Sequence, residues 1–169
     1  MRLFRRSEVV PVDVRERAGL ARRTPVLASG QADDGRWLLG TPDALVVVGA
    51  DVLRLPWSEV QSVDWDGDEG RLLITGVGTF GQPRPRHGFR LTEQGLLLQL
   101  VRERVQASIV LQRRFPVERR RGFTVIGRRT AGGPIAWMVE YDDGIDPADS
   151  GVGRLVEEAL ARARDDVGE

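Results

Sequence analysis

From Thr24 onward the sequence is cut into short apolar pieces: TPVLASGQ, RWLLGT, PDALVVVGA and DVLRLP, separated by ADDG and by single Gly, Asp or Pro residues. Each apolar part runs about 4–8 residues and is rich in Val and Leu, which is the pattern of hairpin-linked antiparallel strands. A strand-to-strand spacing of roughly 9–12 residues predicts a small barrel or sandwich. The passage LPWSEVQSVDWD, residues 55–66, adds a corner to this series. Pro56 cannot donate to a sheet ladder, so the strand through Leu53 and Leu55 ends or lies at an edge there. Trp57 and Val60 are three apart and share one side of a single helical turn. Val63 and Trp65 then alternate with Ser62, Asp64 and Asp66, as a half-buried strand requires. Both indoles are therefore expected in the core.

RLLITGV reads as a further strand, followed by the loop GTFGQPRPRHG and the short strand GFRLT. Thr92 is placed to cap a helix in which Leu97, Val101, Val105 and Ile109 recur at spacings of four, one stripe of an amphipathic helix. Gly95 weakens its first turn. ASIVLQ could instead begin a strand, so residues 106–114 stay open between helix and strand. RGFTVIGRR and PIAWMVEYD flank TAGGP, a β-hairpin signal that puts Trp137 and Met138 on opposite faces. Asp146 precedes Pro147, a pairing that predicts an N-cap with proline at the first helical position. Val152, Leu155, Val156, Ala159, Leu160 and Ala163 trace the buried stripe of the helix expected to follow. Residues 1–23 read as a short strand or extended arm and then an Arg-rich segment.

Seven short strands over residues 24–92, followed by one amphipathic helix to about Arg113, form the order of a pleckstrin-homology-like barrel. The passage GTPDALVVV…VLRLPWSEVQSVDWD resembles bacterial PH-like and GRAM-like domains, in which an aliphatic strand ends at a Pro or aromatic corner and resumes with Val or Ile. The resemblance covers residues 24–113. It implies a small antiparallel β-barrel closed by the amphipathic helix. Outside the resemblance, the residue pattern gives an N-terminal arm at 1–23 and an appended ββα element at 114–169, a β-hairpin and a C-terminal helix, so the whole chain is expected to be α+β. The resemblance also implies a non-catalytic scaffold for protein or lipid contacts. PH domains that grip phosphoinositides use basic residues in the first hairpin loop. Here that loop is Ala32, Asp33, Asp34 and Gly35, whose carboxylates would repel a phosphate.

Composition narrows the chemistry. The 169 residues contain no Cys, which removes disulfides, thiolate nucleophiles and Cys-based zinc sites. No apolar run approaches the ~18–20 residues needed to span a bilayer, and MRLFRR is not followed by a secretory apolar stretch, so a cytoplasmic protein is expected. All 25 basic residues are Arg, a bias that resembles coding in a GC-rich, actinobacterial genome. The net charge is zero but unevenly spread. Residues 101–130 hold 9 Arg and 2 acids, and residues 131–169 hold 3 Arg and 10 acids, leaving +7 beside −7. These blocks could attract each other within the fold or present two faces to partners.

The motifs of enzymes are incomplete. GVGTFG at 76–81 matches a nucleotide fingerprint, but Pro83 and Pro85 forbid the helix that must follow it. Asp64, Asp66 and Asp68 alternate as in a calcium loop, yet the positions needing Gly and Glu are Glu69 and Thr75. His87 is the only histidine, and no nucleophile frame surrounds a serine. Glu140, Asp142, Asp143, Asp146 and Asp149 are expected to cap the C-terminal helix, with divalent-cation binding as the sharper alternative. No catalytic residue, cofactor or metal ligand is assigned.

The strongest candidate surface is RRFPVERRRGF: Arg113, Arg114, Arg119, Arg120 and Arg121, joined by Arg128 and Arg129. Guanidinium groups suit carboxylate and phosphate. The expectation is a non-enzymatic binding or scaffolding module acting through contacts with a protein that no residue pattern names, or with further copies of itself. Peripheral binding of anionic lipid or nucleic acid through the arginines at 113–129 is the alternative. Against nucleic acid stand the neutral balance and the few aromatics interleaved with Arg. An enzyme with an unrecognised acidic site comes third.

Overall fold

The run ALVVV has no polar position, unlike the alternating strands around it, because it is covered on both faces. In the computed structural model, which describes residues 9–78, 82–129 and 132–169, this strand packs two separate clusters. Leu45 and Val47 point into one, Val46 and Val48 into the other. It is the third of seven strands: β1 (Ala28–Ala32), β2 (Trp37–Gly40), β3 (Ala44–Val48), β4 (Val52–Pro56), β5 (Val60–Asp66), β6 (Arg71–Gly76) and β7 (Arg86–Glu93). They form one curled antiparallel half-barrel sheet of order β4-β3-β2-β1-β7-β6-β5. The chain divides into two compact units, Met1–Ala107 and Ser108–Glu169, and this sheet belongs to the first.

The main cluster of the first unit joins Leu38, Leu45, Leu72, Ile74 and Phe89 from the strands to Leu97, Val101 and Val105 from helix α2 (Leu97–Ser108). Three of the four positions of the predicted helical stripe are thus buried. The fourth, Ile109, begins a strand, which settles how residues 106–114 divide. Thr92 is not a cap. It lies in β7, and its hydroxyl donates to the Gln31 carbonyl at 3.1 Å.

A smaller cluster covers the other face of β2 and β3, where Val14 joins Leu39, Val46 and Val48. Val14 sits in α1 (Val12–Arg17), a short helix where the sequence suggests an extended arm. Pro11 at its N-cap is compatible with a helical start, and burial of Val14 supplies the stabilisation that β-branched residues lack by propensity. Residues 1–8 lie outside the described residues.

The corner at Pro56 is built from hydrogen bonds as well as apolar packing. β4 is the edge strand of the sheet, where a proline is tolerated. Trp57–Glu59 then makes one turn of 3-10 helix. Trp57 is 2% exposed; its indole N–H donates to the Thr41 carbonyl at 3.0 Å, and its backbone N–H donates to the Asp43 carbonyl at 3.1 Å. The Thr41 hydroxyl in turn donates to the Ala44 carbonyl at 2.9 Å. Trp65 has the lesser role. It is half-buried at the margin of the core, and β5 shows the predicted alternation of covered and open positions.

The second unit is a three-stranded antiparallel sheet of order β10-β9-β8, formed by β8 (Ile109–Glu118), β9 (Arg121–Arg128) and β10 (Ala136–Tyr141), with α3 (Ser150–Val167) on one face. The expected hairpin is β9–β10, and β8 is an addition to it. Residues 130 and 131, in the TAGGP connection, lie outside the described residues. Phe123, Val125, Val152, Val156, Ala159 and Ala163 make the core between sheet and helix. Trp137 lies across Gly127, its cross-strand partner, where a Cβ would come within 2.8 Å of the indole. The N-cap of α3 is Asp149, not Asp146: its carboxylate accepts from the N–H groups of Gly151 at 2.8 Å and Val152 at 3.0 Å. Asp146 closes a separate turn on Ala148 at 2.9 Å.

Because Trp57 is fully enclosed and hydrogen-bonded while Trp65 is not, Trp57→Ala should destabilise the protein by about 3–5 kcal/mol. Trp57→Phe should cost about 1–3 kcal/mol, chiefly from the unsatisfied Thr41 carbonyl. Urea titration is the measurement, and Trp65→Ala should shift the midpoint less than Trp57→Ala does.

Candidate functional site

The seven arginines of the sequence cluster all fall in the second unit, and the fold sorts them into three environments. Leu111, Phe115 and Val117 of β8 pack toward α3, so by strand alternation Arg113 points the same way. Its guanidinium meets Asp166 near the C-terminus of the helix at 2.5 Å. Arg114, on the opposite face, grips Asp142 and also donates to the Arg120 carbonyl at 2.9 Å. Asp142 accepts a further bond from the Gly122 N–H at 2.8 Å. The hydrogen bond from Arg114, then that from Gly122, hold the Asp142 carboxyl below its ordinary pKa, and the same contact raises that of Arg114.

Arg128 is a different case. It is 3% exposed, and its Nη1 donates to the Ser108 hydroxyl at 3.1 Å. Burial pulls its pKa below the usual guanidinium range, and the neighbouring Glu140 carboxylate opposes that shift. This arginine belongs to the interior of the protein.

Arg119 and Arg120 form the exposed turn between β8 and β9, Arg121 is exposed at the start of β9, and Arg129 is exposed just past its end. Among the described residues none of these four guanidinium groups holds an ion pair. Arg119 has φ 45°, the left-handed region that glycine or asparagine occupies with less strain. Arg121 lies against Gly144, where a Cβ would collide with its guanidinium.

Gly144 also lines a cleft of about 400 Å³ between the end of β8 and the start of α3, with Val117, Glu118, Ile145, Asp149 and Leu155. Leu155 was expected in the buried stripe of α3 but is 41% exposed on this wall. The sequence signal was its place at the margin of the stripe, next to Val156, which takes the inward position. Two of the cleft acids are engaged locally, Asp149 as the N-cap of α3 and Asp146 in its turn.

The remaining candidates are placed separately. His87 lies in β7 opposite Ile74. Asp66 accepts from the N–H groups of Asp68 and Glu69 and so shapes a turn. Residues 79–81 of the glycine motif lie outside the described residues, and β7 begins at Arg86 without an intervening helix over residues 82–85. In the first hairpin loop Asp34 pairs with Arg36 at 2.6 Å, and that hydrogen bond lowers the Asp34 pKa. No group of three or more His, Cys, Asp or Glu among the described residues is arranged to hold a metal ion. No helix in them is long and apolar enough to cross a membrane.

No protein-family model, curated protein or solved structure matches the chain.

A carboxylate whose pKa is lower folded than unfolded stabilises the fold above its ordinary range, and that contribution disappears as pH falls through the folded value. Asp142→Asn should therefore lower the urea midpoint at neutral pH. The gap to the wild type should begin to close only below about pH 5 and should vanish once pH falls past the lowered folded value, where the wild-type carboxylate is protonated too.

Proposed function

We propose that this chain is a non-catalytic binding module, a PH-like half-barrel followed by a sheet-and-helix unit, that engages an acidic surface of a protein partner through Arg119, Arg120 and Arg121. The observation that carries this reading is the backbone of Arg119. A left-handed position in a tight turn costs an arginine about 1–2 kcal/mol, and strain held at an exposed site points to a role for the side chain. Three adjacent exposed guanidinium groups present donor forks suited to carboxylates.

The same sorting of arginines disfavours a long polyanion. With Arg113 and Arg114 paired to Asp166 and Asp142, and Arg128 buried, few cations remain to track successive phosphates. The anionic first hairpin loop, with Asp34 held in its charged form, supports a protein rather than a phosphoinositide ligand. The PH-like reading of the first unit rests on its seven antiparallel strands followed by α2, whose Leu97, Val101 and Val105 enter the sheet's core.

Pull-down from cells of the source organism, with the wild type and with a variant carrying Arg119→Ala, Arg120→Ala and Arg121→Ala, tests the proposal. Proteins captured by the first at low salt should be lost with the second, while circular dichroism stays unchanged. An identical captured set would reject the arginine turn. Retention on heparin or anionic vesicles that the triple substitution abolishes would reassign the surface to nucleic acid or lipid.

A further inference from the structure

The sheet of the second unit has two edges, and they are built differently. β8 ends the sheet on one side and carries Arg113, Arg114 and Pro116. Charges and a proline are the features that keep an edge from accepting another strand. β10 ends the sheet on the other side with the segment AWMVEY, which has no proline and only one charge. That charge, Glu140, lies near the buried Arg128.

The direction of the β10 backbone follows from its last bond. The Asp142 N–H donates to the Gly122 carbonyl at 2.9 Å, and the β9–β10 register is continuous from Ala136 to Tyr141. By antiparallel alternation the main-chain groups of Ala136, Met138 and Glu140 face β9, and those of Trp137, Val139 and Tyr141 face outward. The side chains of these three residues lie on the helix face. They are only half-buried, whereas Phe123 and Val125 on β9 are 1% and 0% exposed under α3, which packs over β9 and β8.

We propose that β10 pairs antiparallel with β10 of a second copy of this chain about a two-fold axis at Val139. This register is self-complementary. Trp137 stands opposite the partner's Tyr141, Val139 opposite the partner's Val139, and Met138 opposite the partner's Glu140. Aromatic cross-strand pairs stabilise such a ladder, and no like charges meet. Val139 and the partner's Val139 exchange a pair of main-chain hydrogen bonds at the axis, and two three-stranded sheets become one. The contact uses the same patch on both copies, as a closed dimer requires. The equivalent pairing of β8 centred on Arg113 or Arg114 would set arginine against arginine, and centred on Pro116 it would lack N–H groups at the axis.

Sedimentation velocity of the full chain over about 1–100 µM should show twice the chain mass at the upper end, and Val139→Pro, which removes an outward N–H, should abolish that species. The chain has no native cysteine, so Val139→Cys introduces a single thiol. Opposed residues in a hydrogen-bonded pair have Cα atoms about 5.5 Å apart, within disulfide range. Mild oxidation should therefore give a covalent dimer from Val139→Cys and leave Gln112→Cys, on β8, monomeric. This cross-link reads the register even where Val139→Pro fails to fold. A wild type that stays monomeric throughout, a dimer that survives folded Val139→Pro, or cross-linking through Gln112→Cys in place of Val139→Cys would overturn the proposal.

Discussion

The first unit depends on a single buried indole. Trp57 lies where the chain leaves the edge strand β4 and turns toward β5, and two of its N–H groups are tied to the Thr41–Ala44 turn. Sixteen residues separate Trp57 from Thr41, so the bond fixes a corner that local backbone preference alone would leave loose. A buried polar group in a hydrogen bond is directional in a way that apolar packing is not. Leucine at this position would fill much of the space without choosing the angle. This is why a chain with few tryptophans places one at the bend, while Trp65 farther along serves as margin packing.

In the second unit the charge blocks of the sequence meet, but only in part. Arg113 and Arg114 take Asp166 and Asp142 as partners, so some of the basic excess at 101–130 is matched by the acidic excess that follows it. The turn at Arg119 to Arg121 is left outside this pairing. Internal compensation and an outward face are both present, divided residue by residue. The edge strands carry a similar division: β8 holds two arginines and a proline, and β10 a single glutamate and no proline.

Much of this was legible in the order of residues. The period-two alternation of β5, the Pro56 edge and the stripe of Leu97, Val101 and Val105 on α2 follow from side-chain geometry within one element, and each lies where the pattern put it. The departures arise where distant contacts decide. α1 is a helix because Val14 finds a cluster made by β2 and β3. β8 carries arginines and a proline, a poor strand signal that an edge position tolerates. Asp146 and Asp149 are both capping residues by type, and only the backbone at 149 puts a carboxylate over the first turn of α3. Of the candidate site, the sequence supplied the seven arginines but not their sorting, since Arg113 and Asp166 are 53 residues apart.

The two-sided burial of β3 ties the first unit into one cooperative block. Leu45 and Val47 anchor the larger cluster while Val46 and Val48, on the same five-residue strand, anchor the smaller. Loss of order in β3 would therefore open both clusters at once. The short N-terminal helix, too small to persist by itself, depends on that strand through Val14.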